Sequence, residues 1–416
     1  MLKKKLMFYC QHVLGMGHFI RSAEIVRGLD AFEVVFLNGG EIVPGFTLPS
    51  NVEVINLPPI KADPEFRDIH VGDGLRDEVG GGSANLDEIK EIRRQRILAE
   101  FDRVRPDVLV IELFPFGRLK FAFELIPLLE RAKTAESRTK VAGSLRDILV
   151  SKREQRQFEE EACRIVNRYY DLLLVHSDPR FQCLDETFSR VSELKCPILY
   201  TGFVRQTESE EAPEAAADPP PVTSGEKTIL VSLGGGRVGV ELIDCVIEAS
   251  ALIRDKLSHR ILIFTGPYLP ASEFLRLQAK IAGNPRIILR RYTTRFISYM
   301  READLSISMA GYNTCMNIVT TGVRAIVSPF IGNNNREQTI RAEKLNALGI
   351  VDLIHSHELT PRLLSEKIFS ALDRPGPRRD APALDLDGVA RTSAGLNQLV
   401  AAGSGEQAPE AKSWMT

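Results

Sequence analysis

The chain has 416 residues, of which 44% are hydrophobic and 26% are charged, and its formal net charge is −2. This length favours two domains over one, and the composition is that of an ordinary soluble globular protein. The lack of a basic excess argues against nucleic acid as a partner, and no run approaches the roughly 20 apolar residues that a membrane span needs.

The cysteines and a short N-terminal apolar run bear on the cellular compartment. The six cysteines form no C-x-x-C pair, so a zinc ribbon or redox motif is not expected, and reduced buried thiols fit a reducing cytoplasm. The run after Lys3-Lys4-Lys5 is too short for a signal peptide and predicts a first β-strand. We expect a cytoplasmic protein, and peripheral contact with a membrane stays open.

Short β-rich runs alternate with helical patterns. In the first half, strands are predicted at residues 6–10, 33–37, 52–55, 107–112, 140–145 and 172–176, and helices at 19–29, 86–104, 119–132 and 152–169. An acidic, proline- and alanine-rich stretch, residues 205–226, predicts a linker. The second half has predicted strands at residues 228–233, 261–264, 287–289, 305–309, 325–328 and 351–354. This alternation indicates parallel sheets, so we expect two doubly wound α/β domains with a cleft between them.

A glycine loop follows the first predicted strand and reads Gly15-Met16-Gly17-His18-Phe19-Ile20-Arg21. The glycines permit a tight turn and close approach of a ligand, and His18 falls where a helix opens. Because its pKa is near neutral, a histidine there can take a proton from an acceptor hydroxyl. We predict substrate contacts from Gly15, Gly17 and Arg21 and a catalytic role for His18. The alternative is that His18 only caps the helix.

Charged residues stand at the ends of two further predicted strands of the first half. Glu112 ends one strand, and Arg146-Asp147 follow another. Glu112 and Asp147 are therefore candidate catalytic carboxylates, and Arg146 is a candidate substrate contact. A salt bridge within the sequence S-L-R-D explains Asp147 equally well. The run Arg93-Arg94-Gln95-Arg96 predicts an exposed helix face.

Two segments of the second half predict a diphosphate site. After its first strand, Gly234, Gly235, Gly236 and Arg237 can bring backbone N–H groups against phosphate, although a plain strand-to-helix turn is the alternative. The turn Ala310-Gly311-Tyr312-Asn313-Thr314 joins a strand to a helix, whose N-terminus attracts an anion. The predicted substrate-binding residues of this turn are Gly311, Tyr312, Asn313 and Thr314.

Further contacts are predicted beyond this turn. Asn317, one helical turn on, can bind a ribose hydroxyl. Arg336, Glu337 and Gln338 follow the next strand and can hold ribose, phosphate or a hexose. The alternative for each of these residues is a solvated helix start. No metal site and no cofactor are predicted.

Together these motifs resemble the GT-B glycosyltransferases of family 28, and most of all the relatives of the N-acetylglucosaminyltransferase that forms lipid II. Residues 294–300 resemble the family's base-binding turn, with Ile297 beside the uracil. Residues 310–317 resemble its S-G-x-x-T-x-x-E helix, and Arg336-Glu337-Gln338 its glutamine pair. The G-x-G-H loop is also similar to that of a UDP-sugar hydrolase. The chain looks closest to a "predicted glycosyl transferase" group marked by Q-H-x-L-G-x-G-H, S-L-R-D and A-G-Y-N-T.

The resemblance implies the GT-B fold, in which two Rossmann-like domains face a central cleft. Residues 1–204 would form the acceptor domain, 205–226 the linker, 227–374 the donor domain, and 375–416 a last helix and a disordered tail. The family's ribose-binding glutamate is replaced by Asn317, which can bind a hydroxyl only without charge. The identity of the donor nucleotide therefore stays open, with UDP favoured.

The implied activity is inverting, metal-independent transfer of a sugar from a nucleotide-diphosphate sugar to an acceptor hydroxyl. The acceptor would be a small molecule, a glycan or a lipid-linked group, and His18, Asp147 or Glu112 would be the base. A nucleotide-sugar hydrolase with His18 activating water is one alternative, and a non-catalytic nucleotide-sugar-binding protein is another. An epimerase is a weaker possibility.

Overall fold

The computed structural model describes residues 3–13, 15–42, 48–62, 69–71, 85–134, 136–137, 139–208, 225–332, 335–374 and 383–404. Fifteen strands lie in these ranges: β1 (Lys4–Cys10), β2 (Phe32–Asn38), β3 (Val52–Asn56), β4 (Ile60–Ala62), β5 (Ile69–Val71), β6 (Val108–Glu112), β7 (Lys140–Arg146), β8 (Leu172–His176), β9 (Ile198–Tyr200), β10 (Lys227–Ser232), β11 (His259–Phe264), β12 (Ile287–Arg290), β13 (Leu305–Ser308), β14 (Ala325–Val327) and β15 (Asp352–Leu353).

Eleven α-helices lie in the same ranges. They are α1 (Gly17–Arg27), α2 (Leu86–Val104), α3 (Ala122–Ala132), α4 (Gln155–Tyr169), α5 (Val240–Ile253), α6 (Ala271–Lys280), α7 (Phe296–Glu302), α8 (Tyr312–Thr321), α9 (Glu337–Ala347), α10 (Pro361–Asp373) and α11 (Gly388–Ser404). None of the described helices is long and apolar enough to cross a membrane.

The strands form two parallel sheets with the same topology. The first sheet has the order β3-β2-β1-β6-β7-β8-β9, and the second has the order β12-β11-β10-β13-β14-β15. Strands β4 and β5 form a separate antiparallel pair. Each large sheet thus grows outward on both sides of its first strand, which is the order of a doubly wound, Rossmann-like fold. The predicted fold class is therefore confirmed.

Both faces of each sheet are buried under helices. In β1, Met7 and Tyr9 join the core under α2, α3 and α4, whereas Leu6 and Phe8 face α1. Alternate side chains of a strand point to opposite faces, so a strand covered on both sides reads as a continuous apolar run. This is why the sequence pattern located twelve of these strands, and why the short strands β4, β5 and β9 escaped it.

The last helix returns to the first sheet. Leu396 and Val400 of α11 lie in the same core cluster as Leu6 and Phe8 of β1. Contact with α1 is close, because a Cβ atom on Gly28 would lie 2.1 Å from Val389 Cγ1. The predicted domain limits stay predictions, and residues 209–224 of the linker and 405–416 of the tail lie outside the described part of the chain.

The prediction that residues 93–96 of α2 form an exposed face is wrong for Arg93, whereas Gln95 and Arg96 are exposed. Arg93 is fully buried, and its guanidinium donates to Glu124, Gln11 and the carbonyl oxygens of Gly39 and Pro58. Ile92, which the apolar pattern would place inward, is 43% exposed. A buried guanidinium is tolerated when its donors are satisfied, so this arginine ties α2 to the ends of β1 and β2.

Candidate active site

The carboxyl ends of the two sheets face each other across a large cleft. Its volume is about 1970 Å³, and its walls include the loops after β1, β6 and β7 of the first sheet and after β10, β13 and β14 of the second. Strand order reverses beside β1 and beside β10, and ligands of doubly wound sheets bind at such points. The two predicted glycine loops therefore lie opposite each other, one on each wall.

His18 lies in the first turn of α1 and lines the cleft, with 17% of its side chain exposed. Its Nδ1 atom is 2.7 Å from Oε1 of Glu112, the last residue of β6. Arg21, one turn further along α1, also donates to this carboxylate, which is fully buried. No side chain caps α1, so the histidine is engaged with Glu112 and not with the helix start.

Burial and charge fix the protonation of this pair. The near-neutral pKa expected for His18 from the sequence is wrong, because burial lowers it to about 4, although Glu112 opposes the shift. Burial acts to raise the pKa of Glu112, but His18 and Arg21 outweigh it and bring that pKa to about 2. Near pH 7 the Nδ1–H of neutral His18 therefore donates to the Glu112 carboxylate, and Nε2 keeps its lone pair. Nε2 of His18 can accept a proton, and Glu112 orients the ring and would stabilise the positive charge it gains, without itself lining the cleft.

On the opposite wall, α8 begins with Gly311 as its N-cap residue. A methyl group on Gly311, Gly234 or Gly15 would meet no atom within 4 Å, so the space in front of all three is open. The first N–H groups of a helix have no partner within the helix, and its dipole is positive there. At Gly236, φ is +86° and a Cβ atom would lie 2.3 Å from Thr265 O, so the loop needs glycine. These features suit a diphosphate.

The two walls touch at this point. Asn313 Nδ2 donates to the carbonyl oxygen of Gly17 at 3.1 Å, next to His18. The hydroxyl of Tyr312 donates to His176 O at 3.2 Å and accepts from Val204 N at 2.9 Å. The start of α8 is therefore held against the first domain, with His18 beside it.

Asp147 is not placed as the sequence suggested. It lies outside the lining of the cleft, fully buried, and its two oxygens accept from Nε and Nη2 of Arg341 at 2.7 Å each. A salt bridge therefore explains this residue, but its partner is on α9 of the other domain. Arg146 pairs instead with Glu337, at 2.7 Å. Both ion pairs join the two domains, so Asp147 is unsuited to act as a base.

The other predicted donor-side residues divide into two groups. Cleft-lining residues are Ile297, Thr314, Asn317, Glu337, Gln338 and Arg237. Arg336 is exposed and outside this lining. Gln338 Oε1 accepts from Phe330 N at 3.1 Å, and Glu337 is held by Arg146 and Arg341. Burial acts to raise the pKa of Glu337, but these two arginines lower it to about 2, so its charge is already paired.

Sequence reasoning missed several polar residues that line the cleft, among them Arg118, Lys152 and Gln206. Arg118 follows β6 in a left-handed conformation, with φ of 61°, and its Nε donates to Gln11 O at 2.8 Å. Its position after a strand end was the available signal. Gln206 lies in the aperiodic segment between the domains, where no pattern marks a functional residue.

Comparison with known proteins agrees with this geometry. Residues 228–382 match the model of the glycosyltransferase family 28 C-terminal domain. A UDP-N-acetylglucosamine--N-acetylmuramyl-(pentapeptide) pyrophosphoryl-undecaprenol N-acetylglucosamine transferase of Brucella anthropi is 27% identical over 192 residues, which are 45% of this chain and 51% of that protein. The chain thus spans about half the length of the curated relatives it matches.

Solved structures match over nearly the whole chain. A Listeria monocytogenes structure assigned as a UDP-N-acetylglucosamine 2-epimerase has a TM-score of 0.62 at 15% identity, with 98% of this chain and 99% of that chain covered. MurG of Acinetobacter baumannii has a TM-score of 0.52 at 15% identity, with 95% and 99% covered. The chain therefore has the GT-B fold, and its residues 228–382 match the model of the family 28 C-terminal domain, the family that the sequence motifs resemble.

Proposed function

We propose that this protein is an inverting, metal-independent glycosyltransferase that uses a nucleotide-diphosphate sugar. The observation that carries the proposal is the position of His18. Its ring is oriented by Glu112 on one wall of the cleft, and the N-terminus of α8 approaches the same loop from the other wall. A base and an anion site thus face one volume that is large enough for both substrates.

The residues then act in a single displacement. His18 Nε2 takes the proton of the acceptor hydroxyl as its oxygen bonds to the anomeric carbon and the bond from that carbon to the diphosphate oxygen breaks. Attack from the face opposite the leaving group inverts the anomeric centre. The positive charge that develops on His18 lies 2.7 Å from Glu112, and the proton later passes to solvent. The α8 N-terminus and the 234–236 loop stabilise the departing diphosphate without requiring a metal ion.

A UDP-sugar is the favoured donor, and the acceptor is a small molecule, a glycan or a lipid-linked group. The name of the Brucella anthropi relative specifies UDP-N-acetylglucosamine and a lipid-linked acceptor. The match to the family model supports the donor side, because it spans residues 228–382.

Calorimetric titration with UDP, GDP, dTDP and their common sugar conjugates, without metal and then with magnesium, tests the proposal. Each binder is then incubated alone and with candidate acceptors while release of nucleotide diphosphate is followed. We expect metal-independent binding, little acceptor-free turnover, and loss of turnover with retained donor affinity in His18→Ala. The matched control is His357→Ala, because His357 is exposed and outside the cleft lining.

Three other outcomes of these assays would support a different function or refute the site. Rapid acceptor-free hydrolysis that depends on His18 would identify a nucleotide-sugar hydrolase on the same fold. Binding without any turnover would indicate a nucleotide-sugar-binding protein. If none of the nucleotides binds, the diphosphate site itself is refuted.

A further inference from the structure

The aromatic ring of Tyr312 contacts two buried guanidinium groups. The guanidinium carbon of Arg21 lies over the ring at 5.1 Å from its centroid, and that of Arg341 at 5.7 Å. Tyr312 is 6% exposed, Arg21 is 2% exposed and Arg341 is fully buried. The face of an aromatic ring attracts a cation, and the attraction is stronger where water is excluded. The ring therefore restrains both arginine side chains.

Arg21 binds Glu112 in an unusual way. Its Nη2 atom donates to Oε1 of Glu112, which is the same oxygen that lies 2.7 Å from Nδ1 of His18. Nε of Arg21 and Oε2 of Glu112 are buried and have no hydrogen-bond partner among the described residues. An arginine beside a carboxylate frequently forms two parallel hydrogen bonds, one to each oxygen. Arg21 does not adopt that arrangement, and the contact of its guanidinium with the Tyr312 ring is a restraint that explains why.

The Tyr312 ring is itself held in place. Its hydroxyl donates to His176 O at 3.2 Å and accepts from Val204 N at 2.9 Å. Arg341, the second cation on the ring, is tied to Asp147 of the first domain by a buried ion pair. Because Tyr312 is the first residue of α8, the ring connects the start of that helix with the residues that orient the base.

We propose that Tyr312 is a positioning residue for the base. Its ring keeps Arg21 on one oxygen of Glu112, so that this carboxylate stays directed at Nδ1 of His18. The inference rests on the proposed function, in which His18 is the base. Tyr312 stands at the start of α8, whereas the three residues that it positions belong to the first domain. The base is therefore oriented only while α8 is docked against that domain.

Loss of the ring has a defined consequence for His18. Arg21 is then free to turn and to bind both oxygens of Glu112. The carboxylate no longer fixes the proton of His18 on Nδ1, so the tautomer that is protonated on Nε2 becomes populated. That tautomer has no lone pair on Nε2, and this atom can then no longer take a proton from an acceptor hydroxyl.

NMR of the ring nitrogens in ¹⁵N-histidine-labelled protein at pH 7 measures the tautomer, and His18→Ala identifies the His18 signal. We expect the Nδ1–H tautomer in the wild type. Tyr312→Leu should change the ratio of the two tautomers by about tenfold or more toward Nε2–H, through loss of a desolvated cation–π contact. Tyr312→Phe lacks the same hydroxyl but keeps the ring, so it should keep the wild-type ratio although its Tm falls.

Tyr169→Leu is the matched control. Tyr169 is another buried tyrosine whose ring an arginine covers, with the guanidinium carbon of Arg168 at 5.0 Å, but it lies outside the cleft lining. This control should lower Tm and leave the His18 tautomer unchanged. If Tyr312→Leu does not fold, Tyr312→Met replaces it, because the flexible methionine side chain fills irregular space in a core.

The outcomes separate this inference from the function on which it rests. If the leucine and phenylalanine variants of Tyr312 give the same tautomer ratio, the ring has no positioning role and the inference is wrong. If Tyr312→Leu keeps the wild-type ratio but weakens UDP binding by about tenfold or more in calorimetry, Tyr312 is a substrate contact and the inference is wrong as well. The tautomer measurement needs no nucleotide, so failure of the nucleotides to bind would refute the donor site and not the contact between Tyr312 and Arg21.

Discussion

The ion pair between Asp147 and Arg341 is one of the buried contacts that join the two domains. Asp147→Ala removes a carboxylate that accepts two hydrogen bonds of 2.7 Å, and both side chains are fully buried. Removal of one partner of a buried pair costs about 3–5 kcal/mol. Arg341 keeps Glu337 and the carbonyl oxygen of Ala310, so we expect the lower end, about 3 kcal/mol.

Differential scanning calorimetry measures this loss. For a folding unit of about 200 residues, 3 kcal/mol corresponds to a fall in Tm of roughly 7 °C. The control is Glu366→Ala, which breaks a 3.1 Å ion pair with Arg362 between two side chains that are 59% and 88% exposed. Such a surface pair contributes about 0.5 kcal/mol or less. If Asp147→Ala lowers Tm no more than this control does, the domains are not held by the buried pair and the reasoning fails.

Three further predictions concern the site and its charges. Glu112→Gln should lower kcat by roughly 10- to 150-fold with donor affinity unchanged, because a charge-assisted hydrogen bond to the developing imidazolium is lost. A decrease in kcat of less than threefold in a turnover assay would refute the role of Glu112. Gly311→Ala should shift Tm by only about 2 °C or less yet weaken UDP binding at least about tenfold, since the methyl group enters open space at the anion site. An unchanged affinity for UDP, measured by calorimetry, would show that the diphosphate does not bind at Gly311. Burial lowers the pKa of His12 and His18 to about 4 and that of His176 to about 3. Below pH 6.5 the unfolded chain therefore binds more protons at these histidines than the folded chain does. The free energy of unfolding should fall as the pH drops from 6.5 to 4, by up to about 1.4 kcal/mol per pH unit for each histidine. A Tm that stays constant from pH 7 to pH 5 would exclude this.

Local patterns in the sequence were sufficient to predict most of the strands and helices of the fold. Strands covered on both faces appear as apolar runs, and α2 was located from the helical spacing of residues such as Ile89 and Phe101. The glycine loops were recognisable because each follows the first strand of a sheet. Their positions identified the walls of the cleft before any contact was known.

The sequence could not predict the partners of the charged residues, because these pairs form between segments that are distant along the chain. Glu112 lies 94 residues from His18, and Arg341 lies 194 residues from Asp147. A pattern within one segment cannot choose between partners on different elements. Arg93 illustrates the same limit, since its burial depends on acceptors from α3 and from the loops after β1, β2 and β3.

The return of α11 to the first sheet has a consequence for synthesis of the protein. Residues 4–176, which supply most of the first sheet, leave the ribosome well before Leu396 and Val400, yet these two side chains complete the core around Leu6 and Phe8. Domains usually fold as units during synthesis, N-terminal first. Here the N-terminal domain stays incomplete, with the apolar surface beside α1 uncovered, until the whole donor domain has been made.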